Sequence, residues 1–117
     1  MAQSSYVRAE YRDGVAHAAL LHEKLTEREA PIVVEEVCGA GPKGNWKLVI
    51  DLSQVTFLAS AGIGAILTIH RRATEAGGAM AVHGLSDDVR DLLRLTRLHK
   101  LFPLAKSEAE AVKAVAG

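Results

Sequence analysis

Residues 48–67, which read LVIDLSQVTFLASAGIGAIL, decide how the rest of the chain is interpreted. They begin with an almost wholly apolar run over 48–52, which is typical of a strand that is covered on both faces. A polar break and a second short apolar patch over 55–58 follow. Ser60 then precedes a run of Gly, Ala, Ile and Leu that predicts a helix, and its hydroxyl is expected to cap the helix N-terminus. The stretch therefore predicts a hydroxyl at the tip of a strand–loop–helix unit, beside the positive end of a helix.

The segments on either side predict further strands and helices in near alternation. Asp13-Gly14 between two strand-like runs predicts a hairpin, and two capping-box spacings predict helix starts near Thr26 and at Ser107. The expected elements are strands over 6–11 and 15–21, a helix from about 30, a strand over 47–52, a helix over 60–76, a strand over 79–83, a helix capped by Ser86, an edge strand over 101–104 and a final helix. This order, β-β-α-β-α-β-α-β-α, predicts one small α/β domain over residues 1–117, with a mixed sheet and about four helices.

Composition and charge narrow the class of protein. Fourteen Lys and Arg residues balance fourteen Asp and Glu residues, and aromatic residues make up 4% of the chain. We therefore expect no nucleic-acid partner, since neither a basic surface nor stacking platforms are indicated. The lone Cys38 excludes an internal disulfide. The charge-free stretch over 55–69 is shorter than the roughly 20 residues of a membrane-spanning helix, so we expect a soluble cytoplasmic domain without a leader or membrane insertion.

Motifs for catalysis, nucleotide binding and metal binding are all incomplete. Gly62-Ile63-Gly64 opens a predicted helix after a strand, but Leu67 occupies the third glycine position of a dinucleotide fingerprint. A nucleophile elbow would need glycine where Leu58 stands. The five histidines lie on separate elements without metal-ligand spacing. We therefore expect no enzyme, no cofactor and no metal site.

The segment from Val49 to Gly64 resembles the signature of the STAS domain family, specifically that of bacterial anti-sigma-factor antagonists. Leu85-Ser86 and residues 95–102 agree with it, and the resemblance extends over about residues 6–112. It implies a single STAS domain that binds an anti-sigma factor, itself a serine kinase, and thereby displaces the sigma factor. The kinase phosphorylates a serine at the helix tip, which ends binding, and a phosphatase restores it.

Residue by residue, the resemblance assigns phosphorylation to Ser60. The partner-binding positions that it implies are Ala59, Ser60, Ala61, Gly62, Ile63, Gly64 and Glu23. The chain departs from the family at Ala59, where Asp is common, and at Leu25, where the family's Gly-Glu-Leu-Asp-like segment after the second strand ends in Asp. Both departures remove a carboxylate from the neighbourhood of Ser60.

Three interpretations of the tip stay open. The first is an antagonist that is switched at Ser60. For this serine the residues alone favour a structural cap, whereas the resemblance favours a phosphate acceptor. A second interpretation is an interaction module without a phosphoryl switch, inside a sensory assembly or a lipid-transport complex. A third is a small-ligand or nucleotide sensor that uses the amides after Ser60. The kinase, the sigma factor and the formation of a homodimer are not fixed by the sequence.

Overall fold

A computed structural model of the protein describes residues 2–3 and 6–116. Within them, a five-stranded mixed sheet and a separate two-stranded pair combine with four α-helices. The strands are β1 (Ala2–Gln3), β2 (Val7–Arg12), β3 (Val15–Leu20), β4 (Lys24–Leu25), β5 (Lys47–Asp51), β6 (Phe57–Leu58) and β7 (Ala79–His83). The helices are α1 (Ala30–Ala40), α2 (Ser60–Glu75), α3 (Asp87–Leu95) and α4 (Glu108–Ala116). The predicted α/β class with a mixed sheet and four helices is confirmed.

The larger sheet has the strand order β1-β2-β3-β5-β7. β1, β2 and β3 pair antiparallel, and β3, β5 and β7 pair parallel. The turn between β2 and β3 has positive φ at both Asp13 (53°) and Gly14 (77°). Positive φ at both central residues is the signature of a type I′ turn, whose twist matches that of the flanking strands. The predicted hairpin is therefore confirmed.

The two faces of the sheet are covered by different helices. Leu48 and Ile50 of β5 point into a core shared with α1, α2 and α3, whereas Val49 points into a second cluster with α4. All three side chains are at most 2% exposed. The almost continuous apolar run of this strand follows from that arrangement, because both of its faces need apolar side chains.

Two sequence predictions about the fold are corrected. The edge strand expected over 101–104 is reduced to one parallel bridge between Val82 and Leu104, because Pro103 has no N–H with which to extend the pairing. The sequence also predicts that Ile63, Ile66, Leu67, His70 and Ala73 form one face of α2 at helical spacing, but only Ile66 and Ala73 of these are buried. The buried residues of this helix are Gly62, Ala65, Ile66, Ile69 and Ala73, and the predicted Ile63, Leu67 and His70 are half-buried.

A charged cluster ties the beginning of α4 to the hairpin. Glu108 pairs with Arg12 and lies 3.3 Å from Nδ1 of His17. Burial, reinforced by the positive charge of Arg12, lowers the pKa of His17 below its ordinary 6.5. The folded state therefore binds fewer protons at His17 than the unfolded state does, and this destabilises the fold in acid.

The stability of the domain is expected to depend on the protonation of His17. Its contribution is fully present above pH 6.5, the ordinary pKa, and is lost as the pH falls through the lower pKa of the folded state. His17→Gln should therefore reduce the loss of unfolding free energy between about pH 7.5 and about pH 5.5. Urea denaturation at the two pH values measures this change in unfolding free energy, and His99→Gln, at an exposed histidine, is the control. An equal pH dependence in wild type and His17→Gln would contradict the role of His17.

Candidate functional site

Ser60 lies at the exposed tip where β6 gives way to α2. It is the first residue of the helix, and the preceding Ala59 occupies the N-cap position with an extended backbone (φ −83°, ψ 173°). The prediction that the Ser60 hydroxyl caps α2 is therefore wrong, since no side chain caps this helix. The helix begins one residue earlier than a cap at Ser60 requires, and the N–H of the capping residue Ala59 donates to the Leu25 carbonyl at 3.1 Å. That hydrogen bond fixes the point at which the chain turns into the helix.

A short parallel pair, β4 with β6, holds the tip in place. The carbonyl of Glu23 accepts from the N–H groups of Thr56 at 2.8 Å and Phe57 at 3.1 Å. A Cβ atom at Gly62 would lie 2.3 Å from the Leu25 carbonyl oxygen, so only glycine permits this approach of α2 to β4. At Gly64 an added Cβ would meet no atom within 4 Å. The two glycines, which sequence reasoning treated alike, therefore have different roles.

The structure brings most of the predicted partner-binding residues onto one surface. Ser60 and Gly64 are exposed, and Ala59, Ala61 and Ile63 are half-buried. Glu23, which is 33 or more residues away in sequence, joins them through its bonds to the β6 backbone. Gly62 instead lies buried against Leu25, so it positions the surface and does not face solvent.

Sequence reasoning missed Phe57 as part of this surface. Phe57 is 52% exposed, which is unusual for a large apolar side chain, and it lies three residues before Ser60. The signal was an aromatic residue in the short apolar patch, in a chain with few aromatics. We call Glu23, Phe57, Ala59, Ser60, Ala61, Ile63 and Gly64 the tip surface.

The N-terminus of α2 favours an added negative charge at the tip surface. The first amides of a helix have no acceptor within the helix, and the N-terminus carries a partial positive charge. No acidic residue lies in the first turn of α2. Leu25, one of the two positions where the family resemblance suggests a carboxylate, is 2% exposed and packs in the core. Its apolar side chain is therefore required by packing.

The carboxylate of Glu29 is held by hydrogen bonds to Thr26. Glu29 accepts from the N–H of Thr26 at 2.9 Å and from its hydroxyl at 2.7 Å. These hydrogen bonds lower the pKa of Glu29, since they stabilise the ionised form. The predicted capping-box contact is thus made at a turn that precedes α1, which begins at Ala30.

Residues 2–3 and 6–116 contain neither a metal-binding cluster nor a membrane-spanning helix. No group of three or more His, Cys, Asp or Glu side chains there could hold a metal ion. None of the helices in these ranges has the length and apolar character needed to cross a membrane.

The sequence and the fold both match known proteins. The signature of the STAS domain family matches residues 15–111. BtrV of Bordetella bronchiseptica, provisionally described as an anti-sigma factor antagonist, is 24% identical over 82% of this chain and 83% of its own. The anti-sigma F factor antagonist of Paenibacillus polymyxa is 32% identical over 65 residues, which are 56% of each chain. A crystal structure of an anti-sigma factor antagonist from Mycobacterium paratuberculosis superposes with a TM-score of 0.82 at 26% identity, covering 95% of this chain and 93% of that one.

Proposed function

The chain belongs to the STAS domain family, and from this premise we propose that it is an anti-sigma-factor antagonist that phosphorylation of Ser60 switches off. The observation that carries the proposal is the position of Ser60, an exposed first residue of α2 whose hydroxyl does not cap the helix. A hydroxyl without a structural task can be modified without loss of the fold. Relatives described as anti-sigma factor antagonists support the class of partner.

The partner is an anti-sigma factor with serine kinase activity, and it docks on the tip surface. The half-buried Ala59, Ala61 and Ile63 provide small apolar contacts, and the exposed Phe57 provides a larger one. An aromatic anchor surrounded by small side chains is typical of the energetic centre of an interface. The chain acts by binding in the cytoplasm and has no catalytic activity of its own.

Phosphorylation ends the complex by placing charge at the centre of the tip surface. The Ser60 oxygen attacks the γ-phosphorus of ATP, the bond from that phosphorus to the bridging oxygen breaks, ADP leaves, and a base on the kinase takes the hydroxyl proton. The product carries about −1.5 to −2 charge, which the helix N-terminus stabilises in the free domain. In the complex the same charge loses its water, and this weakens binding. A phosphatase that hydrolyses the ester restores the antagonist.

The switch is tested by incubating the chain with its cognate kinase and ATP and mapping the product by mass spectrometry. One phosphoryl group is expected on Ser60, and none in Ser60→Ala. Ser53→Ala is the matched control, because Ser53 is another exposed serine at the far end of the same connection. Modification of Ser60→Ala, modification at another residue, or no modification of the wild type would remove Ser60 from the mechanism.

A constitutive interaction module is the second candidate function. It is favoured by the absence of a carboxylate at Ala59, directly before Ser60. In that case the chain binds other STAS proteins or transporter subunits through the same tip surface, and no kinase is recovered with it. A pull-down with the wild-type chain distinguishes the two functions by the class of protein captured.

A further inference from the structure

The sheet face that carries α4 is only partly covered by it. α4 packs through Ala111 and Val115 over the apolar side chains of Val49 and Ala81. Beyond them, towards the carboxyl ends of the parallel strands, a cavity of about 160 Å³ opens on the sheet. Its polar lining includes Arg8, Arg12, His17, Asp51, His83 and Glu108. The cavity lies on the opposite sheet face from α2, so it is separate from the tip surface.

The strand register places four cavity residues in one row across the sheet. Arg8 pairs with Ala19, Ala19 with Asp51, and Asp51 with His83. Neighbouring strands are about 4.8 Å apart, so the backbones of Arg8 and Asp51 are separated by roughly 10 Å. The methyl group of Ala19 leaves the space between them open. A guanidinium and a carboxylate therefore face each other across a small apolar floor.

The charges in the neighbouring rows are already paired with one another. Arg12 lies 3.6 Å from Glu10 and also pairs with Glu108, and Glu108 lies 3.3 Å from His17. These contacts form a closed network at the beginning of α4. The side chains that remain available to bind a ligand in the cavity are those of Arg8, Asp51 and His83.

The groups of that row retain unused hydrogen-bonding capacity. The guanidinium of Arg8 has no side-chain partner among the described residues, and Asp51 uses Oδ1 to accept from the N–H of Ser53 at 2.8 Å. His83 is 9% exposed, and its imidazole has no hydrogen-bond partner within the described part of the chain. No fully buried side-chain nitrogen or oxygen of the described residues lacks a hydrogen-bond partner, so the ring nitrogens of His83 face the open cavity. The row therefore offers a guanidinium, a carboxylate oxygen and an imidazole to a molecule that enters the cavity.

We propose that this cavity binds a small zwitterion of the α-amino-acid type. The carboxylate of the ligand binds the guanidinium of Arg8, its ammonium group binds the free oxygen of Asp51, and His83 completes the contacts from the adjacent strand. A ligand that carries both a negative and a positive group neutralises the charge of Arg8 and the charge of Asp51 at the same time. A simple anion would leave Asp51 facing it, and a simple cation would leave Arg8 unpaired, and either arrangement is costly in a partly dehydrated site.

NMR titration of the labelled full chain tests the proposal with glycine, L-alanine and L-serine as probes. Saturable shifts are expected at the amides of Arg8, Ala19, Asp51 and His83. Acetate and methylammonium each carry one of the two charges, so each should bind at least about tenfold more weakly. Arg8→Gln and Asp51→Asn should each lower the affinity by a similar factor, and Asn can retain the bond to the Ser53 N–H. Arg28→Gln, at an exposed arginine outside the cavity, is the matched control.

Three outcomes would overturn the zwitterion site. They are no saturable shift at about 10 mM of any probe, equal binding of acetate or methylammonium, and unchanged binding in both Arg8→Gln and Asp51→Asn. Circular dichroism of each variant shows whether it is folded. A filled-cavity variant, Ala19→Leu, should abolish the shifts while both charged groups remain.

Discussion

Gly62→Ala is expected to lower the free energy of unfolding by about 1–3 kcal/mol, the usual cost of overpacking. The added Cβ would lie 2.3 Å from the Leu25 carbonyl oxygen. That oxygen cannot move aside freely, because it belongs to the backbone and accepts from the N–H of Ala59 at 3.1 Å. Alanine is the better helix former by up to about 1 kcal/mol, so a net loss requires the clash to outweigh that preference. Urea denaturation measures the difference.

Gly64→Ala is the matched control within the same helix. Gly64 is exposed, and an added Cβ would meet nothing within 4 Å. The intrinsic helix preference then acts alone, and a gain of about 0.5–1 kcal/mol is expected. A gain of stability in both variants would contradict the close packing of α2 on β4. Gly62→Ala should also weaken partner binding, because α2 must shift away from the strand that fixes Ser60.

Elements with strong local signals could be predicted from the sequence. Asp13-Gly14 formed the expected turn with positive φ at both residues. Ser86 accepts from the N–H of Val89 at 3.2 Å, as an N-cap does, and Ser107 accepts from the N–H of Glu110 at 3.1 Å. In each case the interacting groups lie within a few residues of each other in the sequence. Such local structures form independently of tertiary packing.

The details of the tip could not be predicted in the same way. β4 and β6 have two residues each and show no periodicity, and the residues that they pair are 33 positions apart. The start of α2 depends on a bond from Ala59 to Leu25, which only the three-dimensional fold reveals. Ser60 was therefore placed correctly at the helix beginning but given the wrong structural role. The cavity row from Arg8 to His83 likewise depends on strand register.

Ser60→Asp is expected to weaken binding of the anti-sigma factor by about 2 kcal/mol or more, which is roughly thirtyfold. The carboxylate stands at the first helical position of α2, in the middle of the tip surface. In the free domain it is stabilised by the helix N-terminus, so unfolding free energy should stay equal or rise by about 0.3–1 kcal/mol. In the complex it is desolvated among small apolar side chains. Calorimetric titration with the anti-sigma factor and urea denaturation measure the two effects separately.

Thr74→Asp places the same charge at the opposite end of α2 and serves as the control. Thr74 is exposed in the last turn, where its hydroxyl donates to the carbonyls of His70 or Arg71. A negative charge at a helix C-terminus is unfavourable, so this variant should lose about 0.3–1 kcal/mol of stability and keep full partner binding. The opposite signs of the two effects matter. If Ser60→Asp weakened binding only by unfolding the domain, it would lose stability as Thr74→Asp does. If it kept both stability and binding, a charge at the tip could not act as the switch, and the constitutive interaction module would be the function that is left.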